Sequence, residues 1–141
     1  MKYTSEVRVL YSDTDSYGVV WHGAYVKWLE AGRVELSEML GLPLEELEKQ
    51  GIIFPVVDLN IRYKSSAFFN ERIIIETSVS EVKKSSISFS HTITEKQSGK
   101  VRIQAETTIV AIDKQGKLFR TLPEYISECF QQGLEHQLCG A

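Results

Sequence analysis

The sequence predicts an α+β domain in which an antiparallel sheet wraps around one long helix. Three observations support this class: one stretch with helical spacing of large apolar residues, four later stretches in which apolar and polar residues alternate, and polar turns at hairpin spacing. With 141 residues, 43% of them hydrophobic, the chain can build one ordinary core. We therefore expect a single domain spanning residues 1–141.

The first strand and the main helix are predicted from two different spacings of apolar residues. Apolar and polar side chains alternate over residues 6–12, which predicts a strand with one buried face. After a polar stretch, large apolar residues recur at helical spacing, and the helix of about 18 residues is expected to stop at Gly41. Gly32 interrupts this stripe and predicts a close neighbour. A short helix follows from Pro43 to Gly51.

From residue 52 onward the chain reads mainly as strands with one polar face, as in an antiparallel sheet covered on one side. His91 alternates with Phe89 and Ile93 and is expected to face inward with its polar atoms satisfied. A last helix is expected from Pro123. The predicted strands are residues 57–63, 73–79, 87–93 and 101–113.

Composition narrows the class of partners. The formal charge of -3 and the pI near 5.6 argue against duplex nucleic acid. No apolar run is long enough to span a bilayer, so we expect no membrane insertion and a cytoplasmic location. Cys129 and Cys139 lack the spacing of a zinc site or a cystine framework, and we expect free thiols and no bound metal.

Residues 11–25 depart from what folding alone requires. Two acids, one histidine, two glycines and several aromatics lie where the first strand meets the main helix. A helix start presents unpaired N–H groups that suit an anion or a developing oxyanion, and a carboxylate beside it would stay ionised. The same spacing also fits Asp13 or Asp15 as a helix cap or turn residue. Tyr11 fits equally a core aromatic on the first strand and a catalytic hydroxyl.

The run Tyr11-x-x-x-Asp15-x-x-Gly18-Val19-Val20-x-His22-x-x-Tyr25, followed by Trp28-Leu29-Glu30-x-x-Arg33, resembles the signature of the 4-hydroxybenzoyl-CoA thioesterase family. The likeness is closest to the bacterial acyl-CoA thioesterases associated with the Tol-Pal system. It implies the hotdog fold, a coiled antiparallel sheet around a central helix. It also implies a homodimer whose pairs commonly form a homotetramer.

The resemblance also implies roles for single residues. Asp15 aligns with the catalytic carboxylate, which acts as nucleophile or as general base. The backbone N–H near His22 polarises the thioester oxygen, and the side chains of Tyr11 and His22 assist. Tyr17 departs from the small residue usual in relatives, and a phenol there would narrow the acyl pocket.

Basic residues are candidates for gripping the phosphates of coenzyme A. Lys83 and Lys84 lie in a turn that would by default be solvated, but comparable residues in the family reach these phosphates. Arg62 and Lys64 are the reserves. The full set of expected substrate-binding residues is Gly18, Val19, Tyr17, Tyr25, Arg62, Lys64, Lys83 and Lys84.

The resulting hypothesis is an acyl-CoA thioesterase that uses no metal or organic cofactor. Three alternatives stay open at this point. One is a hotdog dehydratase acting on a 3-hydroxyacyl thioester, and another is a non-catalytic module that binds acyl-CoA. The third is a scaffold that docks a partner such as acyl carrier protein.

Overall fold

The computed structural model describes residues 1–139, and their side chains as far as Glu135. The elements are β1 (Lys2–Arg8), a 3-10 turn (Tyr11–Asp13), α1 (His22–Met39), α2 (Leu44–Lys49), β2 (Val56–Tyr63), β3 (Arg72–Val82), β4 (Ser86–Glu95), β5 (Val101–Val110) and α3 (Glu124–Cys139). The Cys129 thiol is free and half-buried. The Cys139 side chain lies outside the described residues.

The main helix α1 forms as the apolar stripe predicts. Its buried residues return to one face, and the helix ends at Met39. Gly41 then takes a φ of +86°, which explains why a glycine stands at this stop. A Cβ on Gly32 would collide with the hydroxyl of Thr77 on β3. This confirms the predicted close neighbour and brings the helix backbone down onto the sheet.

The five strands form one antiparallel sheet in the order β1-β3-β4-β5-β2. Hairpins join β3 to β4 and β4 to β5, at the predicted turns. The strands β1 and β2 are therefore the two edges. The sheet and α1 enclose the first of two buried apolar clusters, and α2, α3 and the far half of the sheet enclose the second.

The first strand differs from its prediction. It spans Lys2–Arg8 rather than residues 6–12, and Tyr11 begins the 3-10 turn with 75% of its surface exposed. The turn forms because the Asp13 carboxylate accepts the Leu10 N–H at 2.9 Å, and the Thr14 hydroxyl donates to the Tyr11 carbonyl at 2.7 Å. Local hydrogen bonds by short polar side chains thus outweigh the alternating pattern, and the expectation of a core Tyr11 is wrong.

No helix in the described part of the chain is long and apolar enough to cross a bilayer. His91 is buried, as predicted. Its Nδ1 lies 3.1 Å from the Thr77 hydroxyl and its Nε2 lies 3.0 Å from the Thr107 hydroxyl. Both ring nitrogens are therefore satisfied by neutral groups on neighbouring strands.

Candidate active site

Asp15 stands at the head of a tight turn. Its N–H donates to the Val19 carbonyl at 2.9 Å, and the Gly18 N–H donates to the Asp15 carbonyl at 3.0 Å. The Tyr17 N–H donates to Oδ1 of Asp15 at 2.8 Å and fixes the carboxylate. Gly18 has a φ of +80°, a conformation that side-chain-bearing residues rarely adopt. The glycine in the motif is therefore required by the turn that presents Asp15.

This turn is anchored to the segment that follows β2. The Val20 N–H donates to the Ala67 carbonyl at 2.9 Å, and Val19 forms an isolated β-bridge with Phe68. The Trp21 N–H donates to the Asp13 carbonyl at 2.9 Å. The turn is thus held from two sides and delivers the chain directly into α1.

The N-terminus of α1 carries no side-chain cap. Trp21 occupies the capping position and offers no acceptor to the first N–H groups of the helix. Neither Asp13 nor Asp15 caps α1, so the capping alternative for these two acids is wrong for this helix. A Cβ on Gly23 would collide with the Trp21 ring, which accounts for the second glycine of the motif. The uncapped end suits an oxyanion.

A cavity of about 300 Å³ opens beside this helix end. Tyr25 is buried at its inner side and accepts a hydrogen bond from the Ala67 N–H at 3.1 Å. Burial raises the pKa of the Tyr25 phenol, which keeps it neutral. The lining residues are Val20, His22, Tyr25, Tyr63, Lys64, Ser65 and Ser66.

One wall of the cavity is held by a buried ion pair that the sequence did not reveal. Arg102 on β5 donates to Glu71 at 2.7 Å and to the Ser65 hydroxyl at 2.9 Å. Glu71 also accepts the Phe68 N–H at 2.9 Å. This cluster ties both ends of segment 65–71 to the sheet. The one signal in the sequence was an arginine inside an apolar strand, which does not identify its partners.

The structure unites most of the predicted residues in two adjoining groups. Asp15, Tyr17, Gly18 and Val19 share the turn, and His22, Tyr25 and Lys64 line the cavity. Tyr17 is 89% exposed, so within one chain it narrows no pocket. Tyr11 stacks on Phe69 with 3.7 Å between ring centroids, next to segment 65–71.

The other basic candidates lie elsewhere in the chain. Arg62 lines a separate cleft of about 400 Å³ with Asp58, Asn60 and residues of β5. Lys83 and Lys84 follow the last residue of β3, whereas Asp15 lies beyond the other end of the same strand, where Arg8 pairs with Arg72. At about 3.3 Å per residue, β3 separates them by roughly 33 Å. One chain does not bring these lysines to Asp15.

Comparisons with known proteins agree with this architecture. The profile of the thioesterase-like superfamily matches residues 9–130. The putative esterase sll0410 of Synechocystis is 36% identical over 123 residues, covering 86% of this chain and 74% of the relative. The putative acyl-CoA thioesterase YneP of Bacillus subtilis is 32% identical over 110 residues, covering 78% of this chain and 79% of the relative.

The solved structures give the same result. The crystal structure of DHNA-CoA thioesterase from Staphylococcus aureus superposes with a TM-score of 0.88 at 28% identity, covering 99% of this chain and 95% of that one. These matches confirm the resemblance that the motif indicated. The chain belongs to the thioesterase-like superfamily and has the hotdog fold.

Proposed function

We propose that this chain is an acyl-CoA thioesterase in which Asp15 carries out hydrolysis of the thioester to a free acid and coenzyme A. One observation carries the proposal: a fixed carboxylate stands on the turn that leads into the uncapped N-terminus of α1. A base or nucleophile and an oxyanion site are thereby placed at one point of the fold. Relatives named as acyl-CoA thioesterases support the substrate class.

The turn prepares the carboxylate for this chemistry. Oδ1 of Asp15 is held by the Tyr17 N–H, whereas Oδ2 accepts no hydrogen bond from the described residues. As a base, Asp15 takes a proton from water while the water oxygen attacks the carbonyl carbon, and the proton then passes to the departing sulfur. As a nucleophile, Oδ2 attacks the carbon, the thiolate leaves, and water cleaves the resulting anhydride. Both routes pass through an oxyanion.

The start of α1 would stabilise that oxyanion. A preorganised N–H donor at a helix terminus contributes about 3 kcal/mol to such a centre. We assign this part to the backbone near His22, whose side chain lines the cavity. The hydroxyl of Tyr11 is a candidate assistant from the adjoining turn, and Gly18, Val19, Tyr17 and Tyr25 are candidate contacts for the acyl arm.

The proposal includes a homodimer, or a homotetramer built from it, in the cytoplasm. The edge strand β2 is free along its length in the chain. If two copies pair their β2 strands antiparallel, the ends of the joined sheet are reversed in the partner. The partner's Lys83–Lys84 turn then lies at the end of the sheet that carries Asp15. This arrangement supports a phosphate-binding role for the two lysines that one chain alone does not support.

Replacement of Asp15 tests the chemistry. Asp15→Asn should lower kcat by roughly 100-fold or more, since an amide neither attacks the carbonyl nor accepts a proton. The matched control is Asp13→Asn, because Asp13 is an acid of the same loop that holds the Leu10 N–H and lies outside the proposed chemistry. Release of free thiol from a panel of acyl-CoAs is the measurement. Wild-type turnover by folded Asp15→Asn would refute the mechanism, and tight binding without thiol release would identify a binding module.

Replacement of Lys83 and Lys84 tests whether coenzyme A or acyl carrier protein carries the acyl group. In Lys83→Ala/Lys84→Ala, KM for acyl-CoA should rise about tenfold at low salt, whereas kcat should hardly change, because phosphate contacts contribute equally to ground and transition states. Hydrolysis of an acyl-pantetheine, which lacks the nucleotide, should not change. Lys114→Ala/Lys117→Ala, in a different polar turn, is the control. An equal response of both substrates would remove the case for coenzyme A over acyl carrier protein.

A further inference from the structure

Tyr25 is a buried phenol close to the start of α1. Only 2% of its surface is exposed, and it lines the cavity beside the helix together with Val20 and His22. Its oxygen accepts the Ala67 N–H at 3.1 Å, and the Ala67 carbonyl accepts the Val20 N–H at 2.9 Å. Through a single residue, Ala67, the hydroxyl is thus connected to the segment that leads into α1.

The position of Tyr25 within α1 directs its ring towards the helix start. His22 and Tyr25 are three residues apart and therefore lie on one face of the helix. Side chains in an α-helix lean towards its N-terminus, so the Tyr25 ring lies over the first turn. The N–H groups of that turn have no side-chain cap. A phenol hydroxyl and uncapped N–H groups thus border the same cavity.

The proton of the Tyr25 hydroxyl has no acceptor among the described residues. A hydroxyl has one proton to donate and can also accept, and the Ala67 N–H uses only its accepting capacity. Burial holds the pKa of the phenol above its usual value, so the proton stays on the oxygen at neutral pH. Acceptance of the Ala67 N–H also polarises the O–H bond, because hydrogen bonds in a chain strengthen one another. Tyr25 thereby offers a fixed donor to an acceptor that enters the cavity.

The electrostatic surroundings favour an acceptor that becomes negative. Lys64 lines the cavity, and no acid is among the described residues that line it. The positive end of the α1 dipole faces the same space. A neutral carbonyl gains little from these charges, whereas an oxyanion gains much more. The stabilisation therefore acts mainly in the transition state.

We propose that Tyr25 is a further catalytic residue, whose O–H donates to the carbonyl oxygen of the thioester as negative charge develops on that oxygen. The inference rests on the thioesterase activity proposed above, and it narrows the contact of Tyr25 with the acyl arm to this one atom. The start of α1 supplies an N–H to the same oxygen, so the oxyanion has two donors. Tyr25 transfers no proton, because the charge returns to the carbonyl when the C–S bond breaks and the thiolate leaves.

Replacing the carbonyl oxygen of the substrate by sulfur tests the contact, because sulfur accepts hydrogen bonds weakly. Tyr25→Phe should lower kcat/KM for an acyl-CoA about 100-fold, the usual effect of losing one oxyanion donor. For the matching dithioester, in which sulfur replaces the carbonyl oxygen, the loss should be less than tenfold. The control Tyr63→Phe removes another hydroxyl of the same cavity and should act equally on the two substrates. An equal loss on both substrates in Tyr25→Phe would overturn the inference.

Tyr25→Phe also leaves the Ala67 N–H without its acceptor, so a second variant separates this structural role from catalysis. A difluorinated tyrosine in place of Tyr25 keeps the oxygen, and fluorine lowers the pKa of a phenol. The resulting phenolate still accepts the Ala67 N–H but has no proton to donate. As the pH rises, activity should therefore fall in step with the absorbance of the phenolate. Full activity of the phenolate form would show that Tyr25 only holds Ala67.

Asp15→Asn keeps the two proposals apart. If Asp15→Asn retains wild-type turnover, the chemistry proposed at Asp15 is refuted. If Asp15→Asn is inactive and the phenolate form of the fluorinated enzyme hydrolyses acyl-CoA at full rate, only the role of Tyr25 fails.

Discussion

Two arginines are buried in the described part of the chain, Arg33 and Arg102, and they differ in what surrounds them. Arg102 on β5 is neutralised within the chain by Glu71, and Ser65 accepts a second hydrogen bond from it. Arg33 on α1 is equally buried but forms no salt bridge among the described residues, and Glu30 on the same helix is the acid that acts on its charge. Arg102 supports the wall of the candidate active site, whereas Arg33 borders the free edge of the sheet.

The difference indicates which region is held together by a buried ion pair within the chain and which is not. Segment 65–71 is tied to the sheet by its own ion pair and to the Asp15 turn by the Val20 to Ala67 hydrogen bond. The local geometry of the candidate site is thus built within one chain. The α1 to β2 side contains Arg33 without a salt bridge among the described residues, with Glu30 one helical turn before it and exposed apolar surface of Val26, Val56 and Leu59 around the cleft between α1 and β2.

The largest expected effect is at the paired arginine. Glu71→Ala leaves Arg102 buried with Ser65 as its remaining partner, and should destabilise the fold by about 3–5 kcal/mol. Urea unfolding at one fixed protein concentration measures it. Glu76→Ala is the control, because its pair with Lys2 is exposed and contributes about 1 kcal/mol or less. Equal stability loss in both variants would show that burial of the Arg102 pair does not matter.

Most of the fold could be predicted from periodicity. The apolar stripe and Gly41 gave the bounds of α1, and alternation gave β3, β4 and β5 because one face of each is covered. Alternation also located β2, although that strand is exposed along nearly its whole length in the chain. The first strand was misplaced because the Asp13 and Thr14 side chains form a local turn, and alternation over a few residues carries no information on such competition.

The candidate site also has one part that the sequence predicts and one part that it does not. The Asp15 turn was predictable because its contacts are local: the carboxylate, the Tyr17 N–H and Gly18 lie within four residues. The Arg102 cluster was not, since its partners lie 31 and 37 residues away in sequence. The unpaired state of Arg33 also depends on tertiary burial, which the motif alone does not disclose.

A smaller effect on stability is expected from titration of His91, which is buried below α1 on the Arg33 side of the sheet. Burial, and to a smaller extent the positive charge of Arg33, lower the pKa of His91 to about 4. The imidazole of His91 is protonated near pH 6.5 in the unfolded chain but only near pH 4 in the folded chain. The folded state is therefore not penalised by this difference above pH 6.5. As the pH falls from 6.5 towards 4, protonation of the unfolded chain lowers the free energy of unfolding by about 3 kcal/mol in total.

Urea unfolding of the wild type and of His91→Gln at several pH values checks this. A glutamine keeps one donor and one acceptor for the hydroxyls of Thr77 and Thr107 but does not titrate. The stability difference between the two proteins should therefore shrink as the pH falls from 6.5 to 4.5, whereas carboxylates titrate alike in both. Parallel stability curves over this range would mean that His91 is protonated in the folded protein. Burial and the charge of Arg33 would then not lower the pKa of His91 in the folded protein.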